Sequence, residues 1–272
     1  MEALQTFLKD NVAGDLISWQ HQQQAAEKFQ LTVAEIEDAI LQAELLPARY
    51  QRNRQMISTA QQLQLFRSKV VVIGAGGLGG YILEQLARLG VGQIVSVDDD
   101  VFEENNLNRQ LLSSPANLGC VKVNVAAKRI AEINPAVTLT PIQERFRKDN
   151  GAALLEGADC VVDAVDNVTA RMELAESCRS LQIPMVHGAI AGWYGHVATV
   201  FPEDDSLTTI YRHWKGGKGV EQQLGNPSFT PAVAASFEVG EVCKILLGQG
   251  RLLRNRKLAF NLLDMEVDEI PL

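Results

Sequence analysis

Gly74, Gly76 and Gly79 follow a Gly-x-Gly-x-x-Gly spacing, with Gly77 and Gly80 filling the run. Glycines so spaced permit a tight turn and let the backbone approach a phosphate closely. An apolar, β-branched run, KVVVIG, precedes them, and a helical segment, YILEQLARLG, follows. A strand-turn-helix of this kind aims a helix N-terminus, with free N–H groups and the positive dipole end, at bound anions. The motif predicts nucleotide binding through Gly74, Gly76, Gly77 and Gly79, without choosing among NAD, FAD and ATP. Asp98 closes the next strand, nineteen residues after Gly79. That placement suits a carboxylate accepting hydrogen bonds from ribose hydroxyls. Asp99 and Asp100 beside it also read as solvated loop charges.

The segment Asn106-Leu-Asn108-Arg109-Gln110, with Lys122 beyond it, discriminates further. A nicotinamide dehydrogenase has no evident need for two cations just past its second strand. Adenylation has one. A carboxylate attacks the α-phosphate of ATP and pyrophosphate leaves, so nucleophile and electrophile are both negative. Fixed cations offset that repulsion and stabilise the charge gathering on the phosphoryl oxygens. Arg109 offers a planar fork to phosphate and Lys122 a point charge.

Asp163 and Asp166 stand near the end of another strand, CVVDAVDN. Ligands collect at strand C-termini in an open α/β sheet. Asp166 is the candidate ligand for a Mg²⁺ ion that bridges phosphates. The competing duty for an acid here is to cap the following helix, which Asn167 could share.

Several elements must position these groups. Strands alternate with helices from Lys69 to Ala191, the pattern of a mainly parallel, doubly wound, Rossmann-like sheet with helices on both faces. GHVATVFP (195–202) and the tail KLAFNLLDMEVDEI predict antiparallel strands in the C-terminal part. Thr230-Pro231 predicts a helix start, Thr230 capping and Pro231 in the first turn. Residues 203–229 show no clear period and predict a long loop. Residues 1–66 show helical spacing and no convincing strand. Thr32 and Glu35 form a capping box, so a helix is expected from Thr32 to about Ala43, ended by Pro47. Ala25 to Ile40 has the look of a helix-turn-helix, but Glu35, Glu37 and Asp38 on the second helix would repel phosphates. A helical extension over 1–48 and an ATP-binding domain over 49–272 are expected.

The composition sets limits. The chain has 272 residues, 25 basic against 33 acidic, and a formal charge of −8. That balance disfavours nucleic acid or anionic membrane as the main partner. MEALQTFLKD lacks a signal-peptide pattern, and no apolar run spans a bilayer, so a cytoplasmic protein is expected. None of the four cysteines lies in a CxxC pair. Cys160 and Cys178 fall in a predicted strand and helix and read as core.

Ordered along the chain are Arg49-Tyr50-x-Arg52-Asn53, the GAGGLGG turn, Asp98-x-Asp100, Asn106-Leu-x-Arg109-Gln110, Gly119-x-x-Lys122, Asp163-x-x-Asp166-Asn167 with Arg171, and Gly188-Ala189 before Gly195. Together they resemble the family of MoeB, ThiF and HesA proteins, which share a fold with ubiquitin-activating enzymes. The resemblance covers about residues 49–248. It implies an enzyme that uses ATP and Mg²⁺ to adenylate the C-terminal Gly-Gly carboxylate of a small ubiquitin-like sulfur carrier. A sulfur donor then converts the adenylate to a thiocarboxylate, for molybdopterin, tungsten-pterin or thiamine synthesis. By the same resemblance Asp98, with Asp100, serves the ribose end of the nucleotide. Arg109 and Lys122 contact the triphosphate with Asn106 beside them, and Asp166, next to Asn167, holds Mg²⁺. Arg52 resembles the arginine that reaches into the other subunit's ATP site in a homodimer.

Two features depart from the family pattern. The paired CxxC motifs that bind structural zinc in many members are missing, so no zinc is expected. No cysteine lies between Cys178 and Cys243, so the 203–229 loop cannot form a thioester or persulfide. Tyr211-Arg212-His213-Trp214-Lys215-Gly-Gly-Lys218 falls where the family drapes a loop over the carrier's tail. Sister readings keep the chemistry and change the carboxylate, to a peptide C-terminus or a threonylcarbamoyl group on tRNA. A nucleotide-binding scaffold subunit and a dinucleotide oxidoreductase complete the alternatives.

Overall fold

The computed structural model describes residues 2–214 and 224–272. The chain opens with α1 (Glu2–Asp10), β1 (Leu16–Ile17), α2 (Trp19–Phe29), α3 (Val33–Gln42) and β2 (Leu46–Pro47). β1 and β2 pair in parallel, a small sheet in a stretch expected to be helical throughout. Two residues per strand leave no alternation for a sequence to display. Thr32 and Glu35 form their capping box, and Val33–Gln42 is helical. That helix stops well before Pro47, which lies in β2.

Glu37 is not a solvated charge of a would-be recognition helix. It is fully buried and accepts a hydrogen bond from the Tyr50 hydroxyl at 2.7 Å. Leu4, Leu8, Ile17, Ala25, Ile36 and Ile40 give this N-terminal part a small core of its own. Leu41, Leu46, Tyr50, Phe66 and Ala136 fasten it to the main body.

α4 (Thr59–Arg67) leads into β3 (Lys69–Ile73), α5 (Gly77–Leu89), β4 (Gln93–Val97), α6 (Lys122–Ile133), β5 (Thr138–Ile142), α7 (Lys148–Leu154), β6 (Cys160–Asp163), α8 (Val168–Leu181) and β7 (Met185–Ala191). β8 (Tyr194–Val200), α9 (Ser206–Ile210), α10 (Phe229–Leu247), β9 (Arg256–Asn261) and β10 (Glu266–Pro271) follow. One eight-stranded sheet has the order β10-β9-β8-β7-β6-β3-β4-β5. β5, β4, β3, β6 and β7 are parallel, and β8, β9 and β10 add antiparallel. The order reverses between β3 and β6, which opens a crevice at their C-terminal ends.

Alternation along each strand feeds two cores. Val70, Val72 and Val162 pack against α5, α6 and α10. Val71, Ile73 and Val161 pack against α7 and α8. α10 begins one residue before Thr230, with Ser228 at the cap position. Thr230 is therefore not the cap: it is buried, and its hydroxyl donates to the Gly192 carbonyl at 2.6 Å. α9 interrupts the expected 203–229 loop. Among the described residues no helix is long and apolar enough to cross a membrane.

Candidate active site

The turn after β3 is built by glycine for steric reasons. Gly74 has φ of +100°, and a Cβ there would lie 2.5 Å from the Ala164 carbonyl oxygen. A Cβ on Gly79 would lie 1.9 Å from the Gly74 carbonyl oxygen. Gly76 occupies the cap position of α5 and offers no side-chain cap, so the first amides of the helix keep their capacity for an anion. Gly74, Gly76 and Gly77 line a cavity of about 900 Å³. Gly79 does not: it lets the helix close on the turn.

Asp98 lines the same cavity and organises it. Its carboxylate accepts from the Ala75 amide at 2.7 Å and from the Asp100 amide at 2.8 Å. Asp98, Asp99 and Asp100 bring their carboxylates within 4.8 Å of one another. Two of the three are engaged, because Asp100 accepts from Lys122 Nζ at 2.8 Å. Lys122, the first residue of α6, is buried, whereas the Asp100 side chain is exposed.

Arg109 and Gln110 reach the cavity from the long β4–α6 connection. Asn106 shapes that connection from beneath. It is buried, its side chain accepts from the Glu103 amide at 3.0 Å, and its carbonyl receives the Arg109 and Gln110 amides. Its side chain does not line the cavity. Arg109 Nη1 donates to the Asn105 carbonyl at 2.7 Å and to Asn108 Oδ1 at 2.9 Å, which sets the guanidinium's place. Gln110 Oε1 is buried without a hydrogen-bond partner among the described residues. Arg145, exposed and lining the same cavity, is a further cation that the motif reading missed.

At the end of β6 the two acids separate. Asp163 is fully buried, 2.7 Å from Arg171 Nε and 2.8 Å from His187 Nδ1. Burial would raise its carboxyl, but Arg171 and the His187 hydrogen bond outweigh that and hold it below the usual range. Asn167 caps α8, accepting from the Ala170 amide at 2.8 Å. Capping is thereby done by the amide, and Asp166 stands exposed at the cavity wall. An open carboxylate facing a phosphate-sized space suits Mg²⁺, which takes one or two carboxylates and fills its shell with phosphate oxygens and water.

Beyond Asp166 a buried polar cluster continues under the sheet. Arg171 Nη1 donates to the Tyr211 hydroxyl at 2.6 Å. His187 Nε2 lies 3.1 Å from His196 Nε2 and 3.2 Å from the Tyr211 oxygen. Burial lowers both imidazoles, His196 the more strongly. His187 and His196 carry no motif spacing, since the turn between β7 and β8 creates their pairing. Only Tyr211 to Trp214 of the candidate tail loop are described, and Tyr211 and Trp214 line the cavity. Lys215 to Lys218 lie outside the described residues.

Arg52 is exposed, and its side chain makes no hydrogen bond or ion pair with the described residues. It does not line the cavity of its own chain. The cysteines are scattered. Cys160 and Cys178 are buried, and burial pushes the Cys178 thiol up to about 12 and Cys160 upward as well.

A doubly wound sheet with a glycine turn, two fixed cations and an open acid at the strand crossover defines a nucleotide-binding α/β protein built for phosphate chemistry. The ThiF family model matches residues 50–272, and the chain belongs to that family. It is 35% identical over 212 residues to the SAMP-activating enzyme E1 of Haloferax volcanii, covering 77% of this chain and 78% of that one. The sulfur carrier protein adenylyltransferase of Thermus thermophilus is 34% identical over 212 residues, covering 75% and 78%. The molybdopterin-synthase adenylyltransferase of Salmonella typhimurium is 40% identical over 134 residues, where the match spans 49% of this chain and 53% of that one. Among solved structures, E. coli MccB with ATP superposes with a TM-score of 0.69 at 18% identity, covering 88% and 78%. PaaA gives 0.69 at 21% identity, covering 82% of each chain. These two show the fold.

Proposed function

We propose that this chain is an adenylyltransferase that activates the C-terminal Gly-Gly carboxylate of a ubiquitin-like sulfur carrier. The names of its Haloferax, Thermus and Salmonella relatives support the reaction and the class of substrate. One observation carries the reading at the residue level: Arg109, Lys122 and Asp166 face one cavity with the glycine turn.

A carboxylate oxygen of the carrier attacks the α-phosphorus of ATP. The new bond joins carbonyl carbon to phosphorus through that oxygen, and the bond from the α-phosphorus to the bridging oxygen breaks. Pyrophosphate departs with the electron pair, and no proton moves. Arg109 and Lys122 hold the phosphates and take up the charge that develops on them. Lys122 is steadied by Asp100, and Arg109 by Asn105 and Asn108. Asp98 holds the glycine turn and receives the ribose. Asp166 would hold Mg²⁺, which when bound would supply charge to neutralise the pyrophosphate. A sulfur donor afterwards attacks the acyl carbon and releases AMP.

The same reading makes the enzyme a cytoplasmic homodimer without zinc, in which Arg52 completes the neighbouring subunit's site. Residues 1–48 form an extension to the catalytic domain.

ATP–pyrophosphate exchange with Mg²⁺ and candidate Gly-Gly-terminated carriers tests the proposal. The expected result is exchange that depends on one carrier and is lost in Arg109→Ala. ATP binding with no exchange for any carrier would overturn it.

A further inference from the structure

The cavity does not end at the nucleotide. It continues over the face of β8, β9 and β10, where Tyr194, His196, Lys257, Ala259 and Asn261 line it. Strand register explains the continuity. Ala189, His196, Ala259 and Asp268 face one another across four strands, so His196 is flanked by two methyl groups and Asp268 ends the row on β10. The row leaves space for an extended backbone with an imidazole in its floor.

The tautomer of that imidazole follows from its neighbours. Asp163 is an ionised, buried acceptor 2.8 Å from His187 Nδ1, so the proton of His187 sits on Nδ1 and its Nε2 carries a lone pair. His196 Nε2 lies 3.1 Å from that lone pair. Two nitrogens this close need a proton between them, and only His196 can supply it. The Tyr211 hydroxyl, which accepts from Arg171, adds a second donor to the same His187 nitrogen and leaves the assignment unchanged. His196 is thus the Nε2–H tautomer, and its Nδ1 is an acceptor. Among the described residues Nδ1 has no partner, and it is not among the polar atoms sealed from solvent. Burial, His187, Lys257 and Arg171 all oppose a second proton on His196, and only Asp163 favours it.

We propose that His196 Nδ1 accepts a hydrogen bond from a backbone amide N–H of the carrier's extended Gly-Gly tail, with His187 and Asp163 as positioning residues that fix the tautomer. An acceptor suits an amide and repels a carboxylate. The contact therefore registers the tail's backbone and leaves its terminal oxygens for the phosphorus. This inference rests on the proposed adenylation of a Gly-Gly tail and adds the group that reads its backbone.

Semisynthetic carriers with either of the last two amides replaced by an ester provide the test, assayed by pyrophosphate exchange with wild type, His196→Phe and His196→Gln. Gln can donate to His187 through Nε2 and accept through Oε1. The expected carrier KM rises about five- to tenfold in His196→Phe, the size of one lost hydrogen bond, and stays near wild type in His196→Gln. One ester should impose a similar penalty on wild type and none on His196→Phe, with ATP Kd unchanged throughout. Equal ester penalties in wild type and His196→Phe, or an unaltered KM in His196→Phe, would overturn the contact alone. No carrier-dependent exchange in wild type would overturn the functional reading and this contact together.

Discussion

The buried ammonium of Lys122 is held 2.8 Å from the exposed carboxylate of Asp100, and the Lys122 backbone amide donates to the Asp100 carbonyl at 3.0 Å. Two bonds from one residue thus fix a cation at the start of α6. Replacing Lys122 with Met keeps the bulk and removes the charge. The expected loss in exchange rate is about 10²-fold or more, the size of removing one fixed donor from a developing anion. Asp100→Asn should lose less, since it loosens the ammonium without deleting it. Steady-state exchange at saturating ATP checks both, and a Lys122→Met enzyme with a wild-type rate would remove Lys122 from the chemistry.

Asp166 and Asn167 are neighbours with different duties, and variants should separate them. Asp166→Asn should abolish Mg²⁺-dependent exchange and leave thermal stability nearly unchanged, because the carboxylate is exposed and pairs with no cation among the described residues. Asn167→Ala should remove the α8 cap and lower stability by about 1 kcal/mol. Chemical denaturation alongside exchange assays reads both effects. The assignment fails if Asp166→Asn retains metal-dependent turnover.

Arg52 projects from its own chain without a partner among the described residues. If it completes a neighbouring site, Arg52→Ala and Arg109→Ala should each be inactive alone. Mixing and re-equilibrating them should restore activity toward a quarter of wild type, because one in four sites then combines two intact arginines. No recovery on mixing, with subunit exchange verified by mass, would mean that each site is built within one chain.

Glu238 on α10 is fully buried, and neither carboxyl oxygen finds a partner among the described residues. Its carboxyl packs against Gly188, where an added Cβ would lie 2.4 Å away. Burial and the Asp163 charge push it well above its ordinary value of 4.5, and Arg171 only partly opposes them. The folded protein therefore keeps a proton that the unfolded chain releases. This group's contribution is favourable below the unfolded value and is lost as pH rises toward the folded one. Glu238→Gln, which mimics the protonated acid, should match wild type near pH 4 and unfold at higher denaturant than wild type at pH 8. An identical wild-type advantage at both pH values would contradict a neutral Glu238.

The strand-turn-helix at Gly74 was legible because its signal is local. KVVVI needs both sheet faces covered, the glycines need room that a Cβ would take, and both show in adjacent residues. The cap at Thr32, the acid ending β4 and the open Asp166 follow the same local logic. β5 was not legible: as an edge strand it carries Thr138, Thr140 and Pro141 and buries little, so its sequence lacks the apolar run of the central strands. Thr230 misled for a related reason. Its residue type fits a helix cap, but a buried carbonyl at Gly192 claims its hydroxyl.

Residue types and their order along the chain settled the fold class, the family and the glycine turn, because those depend on neighbours a few positions apart. Tertiary structure decided which polar groups face the cavity. It turned Asn106 inward, buried Glu37 and Glu238, set Asp163 against Arg171, and brought His187 to His196 across the β7–β8 pair. Those outcomes depend on strand register and on competition for buried hydrogen-bond partners, which arise between segments far apart in the chain.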